Sequence, residues 1–563
     1  MMPLRKIGRT YRHFKRYRQI LKVLVKYGFG DVMERLRLNR YVEVGKKIIR
    51  LNKKRDTDIK RFSRVERIRM ALEELGPTFI KLGQFLSVRP DLVPLELTKE
   101  LKKLQDNVPA LPFAEVKKGV EEEFKTSLET NFSFFDTKPF AAASIAQVHL
   151  AKLLDRREVA VKIRRPGIKE IINTDLEIML HLANIIEKHY PESEFYDPVG
   201  IVRELSRSIK KELDFTYESR NIKKFAQNFK DDKIIYVPMV IEKLSTEKVL
   251  TLEYVKGIKV SDYDKLESAG LNRKIIARNG ATLILKQIFD YGFFHGDPHP
   301  GNILILENNV ICFLDFGIMG RLSEEMKNNF ANMIMGIIQK DTNIIITTIE
   351  IICNGDIQDR EELREEIDEF IDYYYGISLG EINFGKLLNE LIEAVIRHKL
   401  KIPSNFFLME KALITVEGLG KGLDPDFNMV SLLRPFTQKL ISKKLSLLQM
   451  VEDTLKLIPE LSQLLKEIPT ETREILQKLK TGKLKVEFEH KGLKPMLSTG
   501  DKISNRLSFS IVIAALIIGS SLIVNSKMGP LLWGFPAVGI IGFLAAGVFG
   551  LYLIIAILRS GRL

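Results

Sequence analysis

Cysteine is scarce in this sequence, and no internal repeat is visible. Cys312 and Cys353 are the two cysteines among 563 residues, and they form no metal-binding motif. Their scarcity excludes a cysteine-based zinc site and indicates a reducing compartment. A chain of this length exceeds what a single hydrophobic core supports, so we expect several domains.

Acidic residues are absent before Asp31, whereas the formal net charge of the whole chain is +15. We interpret residues 1–59 as a basic amphipathic segment. An anionic membrane surface is the expected partner, since each nearby Lys or Arg contributes about 1 kcal/mol there. The basic residues behind this expectation include Arg5, Lys6, Arg9, Arg12, Lys15, Arg16, Arg18, Lys22 and Lys26.

Three other interpretations of this basic segment are a nucleic-acid patch, a solvated basic helix and an organelle transit peptide. We expect no nucleic-acid partner, because no recognisable binding module accompanies the patch. A secretory signal is disfavoured because Lys22 and Lys26 interrupt the short apolar stretch.

Charge is also missing from residues 507–524. A run of about 18 residues extends roughly 27 Å as a helix. A second apolar run, residues 531–558, follows after a short link. Either run alone would also suit a buried core helix, but the two in succession predict a transmembrane hairpin over residues 507–558. Small residues spaced four apart would let the two helices touch closely, namely Ala515 and Gly519, and Gly542, Ala546 and Gly550.

Basic residues flank this predicted hairpin. Lys502 and Arg506 precede the first span, and Arg559 and Arg562 follow the second. The positive-inside rule places both ends on the cytoplasmic side. We therefore expect a multi-pass protein of the bacterial plasma (inner) membrane whose residues before the hairpin lie on the cytoplasmic face. A dimer through the transmembrane helices or a helical extension is compatible with this arrangement.

Two polar motifs lie close together near the middle of the chain. Residues 295–302 read His-Gly-Asp-Pro-His-Pro-Gly-Asn, and residues 315–317 read Asp-Phe-Gly. Kinase-type phosphotransferases use Asp-x4-Asn and Asp-Phe-Gly to place a catalytic aspartate and two metal ligands around one nucleotide. We predict that Asp297 orients or deprotonates the acceptor. Asn302 and Asp315 are the predicted Mg²⁺ ligands, because hard oxygen donors suit that ion.

The surroundings of these motifs favour that interpretation. The apolar runs 303–306 and 310–314 predict two short buried strands. A hydrolytic metal cluster of His295, Asp297 and His299 is the rival interpretation. No other His, Cys or acidic residue nearby completes a zinc-type ligand set.

A kinase fold also requires a strand lysine upstream of these motifs. Residues 159–162 read Val-Ala-Val-Lys, and we predict that Lys162 reaches the α- and β-phosphates of a nucleotide. An exposed strand lysine is the alternative. The run 252–255 is the candidate hinge, where the backbone at Glu253 and Val255 is predicted to meet adenine.

Glycine is missing where a kinase would carry its phosphate-covering loop. Residues 141–148 stand in frame with the usual Gly-x-Gly-x-x-Gly-x-Val pattern, but alanine replaces all three glycines. An L-residue in the left-handed region costs about 1 kcal/mol or more, so we expect a stiffer loop with a different phosphate orientation or preference. A mere packing turn is the alternative. The predicted nucleotide-binding residues of this loop are Ala141, Ala142, Ala143, Ser144, Ile145, Ala146, Gln147 and Val148.

Two further motifs carry a family resemblance. Residues 79–84 read Phe-Ile-Lys-Leu-Gly-Gln, and residues 212–215 read Glu-Leu-Asp-Phe, with Glu218 and Asn221 behind them. With the alanine-rich loop and the His-Gly-Asp-Pro-His-Pro-Gly-Asn segment, they resemble the UbiB family of atypical kinases, also called AarF-like proteins. Residues 86–94 and the Leu-Gln-Asp at 104–106 resemble the same family's helical extension.

The resemblance implies several residue roles. It implies that Glu218 is the catalytic acidic partner of Lys162. It also implies that a helix packs over the active site and regulates it or gates substrate entry. The residues with this implied role are Lys81, Gly83, Gln84, Glu212 and Asp214, with Lys81 close to the two acids.

Local patterns around these motifs add two expectations. Residues 202–226 read as one continuous helix, on which Glu212 and Glu218 should face different partners. After residues 315–317 the chain passes almost directly to Ser323, a predicted helix N-cap, and no Ala-Pro-Glu follows. A long activation loop for docking a peptide is therefore not expected.

The expected fold class is α+β: a two-lobed atypical protein kinase-like fold with an N-terminal helical extension and a C-terminal transmembrane hairpin. After the basic segment 1–59, the predicted domains are the extension 60–115, an N-lobe 116–255, a helical C-lobe 256–435, a helical and linker region 436–506 and the hairpin 507–558.

The expected function is that of a membrane-anchored atypical kinase or ATPase that uses ATP or ADP with Mg²⁺. The resemblance implies a role in isoprenoid quinone (ubiquinone-type) or related lipid biosynthesis. The implied partners are membrane lipid, a quinone-precursor lipid and quinone-biosynthesis enzymes. A protein kinase and a nucleotide-binding scaffold for a membrane biosynthetic complex are the alternatives.

Overall fold

The computed structural model describes residues 3–30, 61–104, 109–189, 197–353, 357, 359–375, 383–444, 493–526 and 530–559. The chain divides into two compact units, Met1–Val451 and Glu452–Leu563. Some predictions lie outside the described residues, namely those on residues 31–59, Gln105, Asp106, residues 445–492 and Arg562.

The described part of the chain begins with α1 (Pro3–Lys26), α2 (Arg64–Leu75), α3 (Pro77–Leu86) and α4 (Leu95–Leu101). Ser63 and Glu66 form a capping box at the start of α2, which satisfies backbone N–H groups that the helix leaves free. Gly76 joins α2 to α3 with a φ of 94°, a conformation that glycine adopts without strain.

Helix α1 packs on the first unit through one face. Ile20 and Val23 are buried, and the Arg16 guanidinium lies 2.6 Å from the carboxylate of Asp175, which is fully buried. Lys26 pairs with Glu74, but both of these side chains are well exposed. Arg16 is thus engaged within the protein, whereas Lys15, Arg18 and Lys22 are exposed, and their contact with a membrane surface stays a prediction.

A five-stranded antiparallel sheet follows helices α5 (Phe113–Phe124) and α6 (Leu128–Asn131). Its strands are β1 (Phe132–Phe135), β2 (Ala141–Ala142), β3 (Ala146–Leu153), β4 (Glu158–Arg164) and β6 (Val249–Glu253), in the order β1-β3-β4-β6, with β2 beside β3. Val159 and Val161 of β4 join Val116 and Val120 of α5 in one buried cluster. Because strand side chains alternate between faces, this cluster places Lys162 on the opposite face.

Along the chain, three helices lie between β4 and β6 of this sheet: α7 (Ile168–His189), α8 (Pro198–Glu212) and α9 (Phe215–Asn228). The prediction of one continuous helix over residues 202–226 is wrong. Asp214 stands between α8 and α9 in an extended conformation, and its side chain accepts the backbone N–H of Thr216. An aspartate that caps a new helix ends the old one.

A second, four-stranded sheet contains β5 (Ile235–Tyr236), β7 (Ile258–Lys259), β9 (Ile303–Ile305) and β10 (Ile311–Phe313), in the order β5-β10-β9-β7. Strand β8 (Phe293–His295) pairs with β11 (Met319–Arg321). The two short buried strands predicted from runs 303–306 and 310–314 are confirmed as β9 and β10.

The rest of the first unit is helical. Ser323 caps the first helix after β11, as predicted, by accepting the backbone N–H of Met326. The helices are α10 (Tyr263–Ser268), α11 (Arg273–Leu285), α12 (Glu324–Gln339), α13 (Thr342–Cys353), α14 (Arg360–Tyr375), α15 (Phe384–Arg397), α16 (Ser404–Leu423) and α17 (Met429–Lys444).

The second unit contains α18 (Leu493–Ser526), a hairpin of β12 (Leu531–Leu532) and β13 (Phe535–Pro536), and α19 (Ala537–Arg559). Segments Ser504–Ser526 and Ala537–Ile554 are long and apolar enough to cross a membrane. Helix α19 begins at Ala537, six residues into the second apolar run. Trp533 and Gly534 have φ angles of 51° and 84°, which turn the chain into the two-residue hairpin.

Small residues do bring α18 and α19 together, but at other positions than most of those predicted. Gly542 lies against Ser520, and Gly539 lies against Val524. Gly519 and Gly550 have open space where a side chain would be, so they do not make the contact. Close approach of two helices at glycine is the packing that membrane helices favour.

Candidate active site

An ion-pair network between Lys162, Glu218 and Asp315 forms the centre of the candidate site. The ammonium of Lys162 on β4 lies 2.9 Å from Oε2 of Glu218 on α9 and 3.1 Å from Oδ2 of Asp315 after β10. It also lies 5.5 Å from the centre of the Phe215 ring at the start of α9. Three segments that are distant in sequence thus converge on one cation.

The two carboxylates and the ammonium stabilise each other's charges, with Glu218 buried, Lys162 mostly buried and the Asp315 side chain 43% exposed. Burial alone lowers the pKa of Lys162, but Asp315 and Glu218 outweigh it, so this pKa lies above its ordinary value. Burial opposes ionisation of Asp315, yet Lys162 and the Gly317 amide hold its pKa well below the usual range. For Glu218 burial has the larger effect and raises the pKa. Lys162 and Asp315 are therefore both charged at neutral pH.

Helix α9 also fixes the Asp-Phe-Gly segment. Nδ2 of Asn221 donates to the carbonyl of Phe316 at 2.9 Å, and the Phe316 backbone N–H donates to Glu218 at 3.4 Å. The Phe316 ring is fully buried and packs edge-on against Phe225, with ring centres 5.0 Å apart. With the phenylalanine inside, Asp315 faces the cleft, which is how kinase sites present their metal-binding aspartate.

The loop of residues 295–302, which we predict to be catalytic and call the catalytic loop, begins at a buried histidine. The His295 backbone N–H donates to Oε1 of Gln287 at 2.9 Å, and its Nδ1 accepts the backbone N–H of Asp297 at 3.1 Å. Burial lowers the pKa of His295, which keeps the imidazole neutral. This neutral ring orients the backbone that carries Asp297.

Asn302 ends this loop beside the Asp-Phe-Gly segment, because its carbonyl accepts the backbone N–H of Leu314 at 3.0 Å. Asn302 and Asp315 supply a carboxamide and a carboxylate, donors that suit Mg²⁺. Within the described ranges, no three His, Cys, Asp or Glu side chains form a complete metal site. One carboxamide and one carboxylate suit an ion that takes its other ligands from phosphates and water, as Mg²⁺ does.

The rival zinc cluster does not suit this geometry. Nδ1 of His299 accepts the backbone N–H of Gly301 at 3.0 Å, just as His295 accepts from Asp297. Each of these Nδ1 atoms is therefore engaged by the loop backbone. Asp297 instead directs Oδ1 to Nζ of Lys411 on α16, at 2.8 Å.

Residues 141–148 form a tight hairpin. Ala141 pairs with Val148 and Ala142 with Gln147, and the N–H of Ala143 donates to the carbonyl of Ala146 at 2.8 Å. No residue of this hairpin has a positive φ, so alanine fits it without left-handed strain. The side chains of residues 144–147 are buried.

Neighbouring segments hold the tip of this hairpin. Oε1 of Gln147 accepts the backbone N–H of Leu111 at 2.9 Å. Arg165 donates to the carbonyls of Ala143 and Pro109, at 3.0 and 2.9 Å. These bonds agree with the expected stiffness of the loop, whereas its contacts with a nucleotide stay a prediction.

The predicted hinge, residues 252–255, covers the end of β6 and the first residues of the link to β7. The N–H of Tyr254 donates to the carbonyl of Glu158 at 3.1 Å, and both carboxylate oxygens of Glu253 accept from the Tyr236 hydroxyl. Burial and the Glu253 carboxylate raise the pKa of Tyr236 to about 12. The Glu253 side chain is thus committed to Tyr236, and Val255 next to it is half-buried.

The structure brings Lys81 and Glu212 together, with Nζ 3.2 Å from Oε2. Asp214 caps α9, and Gln84 on α3 is half-buried. Gly83 lies against Leu72, Leu101 and Leu104, and a Cβ there would overlap Leu104. Gly83 therefore has a packing role that the sequence did not reveal.

Sequence reasoning missed Lys411, Gln287 and Asn221 as parts of the site. Gln287 follows α11, and Lys411 lies more than a hundred positions after Asp297, so no local spacing links either to the motifs. Asn221 stands behind the Glu-Leu-Asp-Phe motif, and its position one turn after Glu218 was a usable signal.

Known proteins match this chain along most of its length. Family models match residues 103–349 as the ABC1 atypical kinase-like domain, residues 367–428 as the UbiB helical domain and residues 491–559 as the ABC1/UbiB kinase-like C-terminal domain. The structure of the Mycobacterium tuberculosis protein Rv3197 with erythromycin is 24% identical, with a TM-score of 0.46 over 69% of this chain and 97% of that one.

Curated relatives match over longer stretches. A Clostridium pasteurianum protein, "Uncharacterized protein in hydrogenase 1 5'region", is 37% identical over 97% of this chain and 99% of its own length. "Probable protein kinase UbiB" of Aliivibrio fischeri strain MJ11 is 32% identical over 82% of this chain and 86% of its own. The expected kinase-like α+β fold is confirmed, and the chain belongs to the UbiB family.

Proposed function

We propose that this chain is a membrane-anchored atypical kinase or ATPase that binds ATP or ADP with Mg²⁺. The observation that carries the proposal is the contact of Lys162 with both Glu218 and Asp315. Phosphoryl transfer in kinases requires the strand lysine, its helix glutamate and the metal-binding aspartate in place together. Lys162 would bind the α- and β-phosphates, and Asn302 and Asp315 would hold the metal.

The acceptor that suits this site best is a lipid or another small molecule. Only β11 separates the Asp-Phe-Gly segment from the helix capped by Ser323, so the chain has no activation segment on which a peptide could dock. Lys81, Gly83, Gln84, Glu212 and Asp214 would control access from the extension. The family supports isoprenoid quinone or related lipid biosynthesis as the pathway, with quinone-biosynthesis enzymes as partners.

Membrane anchoring is part of the same proposal. Segments Ser504–Ser526 and Ala537–Ile554 would span the bacterial plasma membrane as a hairpin with both ends in the cytoplasm. The exposed Lys15, Arg18 and Lys22 of α1 would contact anionic lipid. A lipid acceptor would then reach the catalytic unit from the bilayer on its cytoplasmic side.

The test measures Mg²⁺-dependent ATP turnover by the full-length protein in detergent and with anionic liposomes. We expect turnover that liposomes increase and that Asp315→Asn abolishes. Asp155→Asn is the matched control, because Asp155 lies in the exposed turn between β3 and β4 and pairs with Arg157. Equal turnover in wild type and Asp315→Asn would refute the assignment. ATP binding without turnover would favour a scaffold, and transfer of phosphate to a separate protein would favour a protein kinase.

A further inference from the structure

Helix α16, which lies within the matched UbiB helical domain, packs directly on the catalytic loop. Gly296 lies against the side chain of Leu408, and a Cβ at position 296 would come within 2.6 Å of it. A side chain at position 296 would therefore force the Leu408 side chain to shift. Lys411 follows Leu408 by one helical turn, so the same face of α16 presents both side chains to the loop.

Lys411 supplies a cation to Asp297 from outside the catalytic loop. Its Nζ lies 2.8 Å from Oδ1 of Asp297, and both side chains are about one-third exposed, at 35% and 28%. A pair this solvated contributes little to stability. Stability therefore does not explain why this ion pair lies at the catalytic loop, and we look for a functional reason. His299 does not supply a cation to Asp297, because its Nδ1 accepts the backbone N–H of Gly301.

We propose that Lys411 is a positioning residue for Asp297, and the proposal rests on the phosphoryl-transfer function above. By holding Oδ1, Lys411 leaves Oδ2 of Asp297 free to accept the proton of the acceptor hydroxyl or of water. The acceptor oxygen then forms a bond to the γ-phosphorus. The bond from that phosphorus to the β–γ bridging oxygen breaks, and ADP leaves with its electron pair. The helical domain thus completes the catalytic site.

The test compares Lys411→Met, Lys411→Arg and Lys386→Met in the full-length protein by steady-state ATP turnover. Lys386 is a matched control, because it is an exposed α15 lysine paired with Glu390. We expect Lys411→Met to lower kcat at least tenfold and to change the KM for Mg-ATP less than twofold. Lys411 contacts Asp297 and not the Lys162 network, so nucleotide binding should be spared. Lys411→Arg should keep at least a third of kcat, and Lys386→Met should match wild type.

Two further measurements separate positioning from structural damage. Thermal unfolding should occur at the same temperature in wild type and Lys411→Met, and Lys411→Gln replaces the Met variant if that one does not fold. Adding Lys411→Met to Asp297→Asn should cause no additional loss of kcat, because the lysine acts through the aspartate.

Each outcome decides between the claims. An unchanged kcat in Lys411→Met, or a loss that Lys411→Arg shares in full, would overturn the role of Lys411 and leave the proposed function intact. A parallel loss of kcat, KM and thermal stability would overturn it in favour of a structural contact. An absence of turnover in wild type would instead overturn the proposed function, and this role with it.

Discussion

Glu410 carries a carboxyl group in a largely apolar part of the helical domain, which makes its titration a quantitative test of the structure. It lines a cavity of about 40 Å³ between α12, α13, α15 and α16. Burial there raises the pKa of Glu410 from 4.5 to about 7, with a smaller lowering by Lys102 and a smaller raising by Glu393. The other residues around it include Phe330, Met333, Ile349, Cys353, Leu391 and Phe406.

The raised pKa of Glu410 makes the free energy of unfolding depend on pH, and the direction follows from which state of the protein keeps the proton. At pH values between the unfolded pKa of 4.5 and the folded pKa of about 7, the folded protein keeps a proton that the unfolded chain releases. The free energy of unfolding therefore falls as pH rises through this window, by about 1.4 kcal/mol per unit and about 3 kcal/mol in total. Below pH 4.5 Glu410 is protonated in both the folded and the unfolded protein, so its burial no longer makes the free energy of unfolding depend on pH.

Glu410→Gln replaces the titrating carboxyl with an uncharged carboxamide of nearly the same shape. We expect the variant to be more stable than wild type by about 3 kcal/mol near pH 8 and to differ little near pH 4. Chemical denaturation of the full-length protein in detergent, followed by circular dichroism across this pH range, measures the difference. Glu361→Gln is the control, because Glu361 is an exposed glutamate of α14. A pH-independent difference between wild type and Glu410→Gln would refute the reasoning.

Three further substitutions test contacts that hold the site. Lys162→Met leaves Glu218 buried without its cation, so we expect a loss of about 3 kcal/mol in unfolding free energy and of Mg-ATP binding in calorimetry; intact binding would contradict this. Gly83→Ala would push α3 away from Leu104, so we expect a loss of about 1–3 kcal/mol and faster proteolysis within residues 61–104, and a wild-type cleavage rate would speak against the packing role. Arg16→Met leaves the buried Asp175 with only the hydroxyl of Thr78 as a described partner. We expect the free energy of unfolding to fall by about 3 kcal/mol and α1 to become accessible to protease. Lys15→Met is the control and should change neither quantity.

Local sequence patterns predicted the elements that local forces determine. Strands β9 and β10 were predictable because each is a short apolar run with every side chain buried. Ser323 was predictable because its hydroxyl caps a helix with acids in the first turn. The break at Asp214 was missed, since helical periodicity continues on both sides of it and only the cap interrupts the backbone. The late start of α19 was missed because hydropathy does not record the turn at Trp533 and Gly534.

The candidate site likewise contains residues that local sequence patterns predict and residues that they do not. Lys162, Asp297, Asn302 and Asp315 could be proposed from the sequence because kinase chemistry constrains their spacing within short motifs. Lys411 approaches Asp297 through the packing of α16 on the catalytic loop, and no pattern in the sequence records that contact. Contacts between distant segments require the fold, which is why the extension and the helical domain were the least predictable contributors.

The link from the Asp-Phe-Gly segment to Ser323 is short, and we expect regulation of this site to act through other segments. Gly317 and Ser323 are joined through β11, which pairs with β8 immediately before the catalytic loop, so this connection is tied to the loop itself. Helix α9, which carries Glu218, is capped by Asp214. Two residues earlier, Glu212 ends α8 and pairs with the ammonium of Lys81. A movement of α3 that carried Lys81 away would thus act on the residues directly preceding α9. The regulation that we propose for Lys81 and Glu212 would reach Lys162 through Glu218, without any rearrangement of the Asp-Phe-Gly segment.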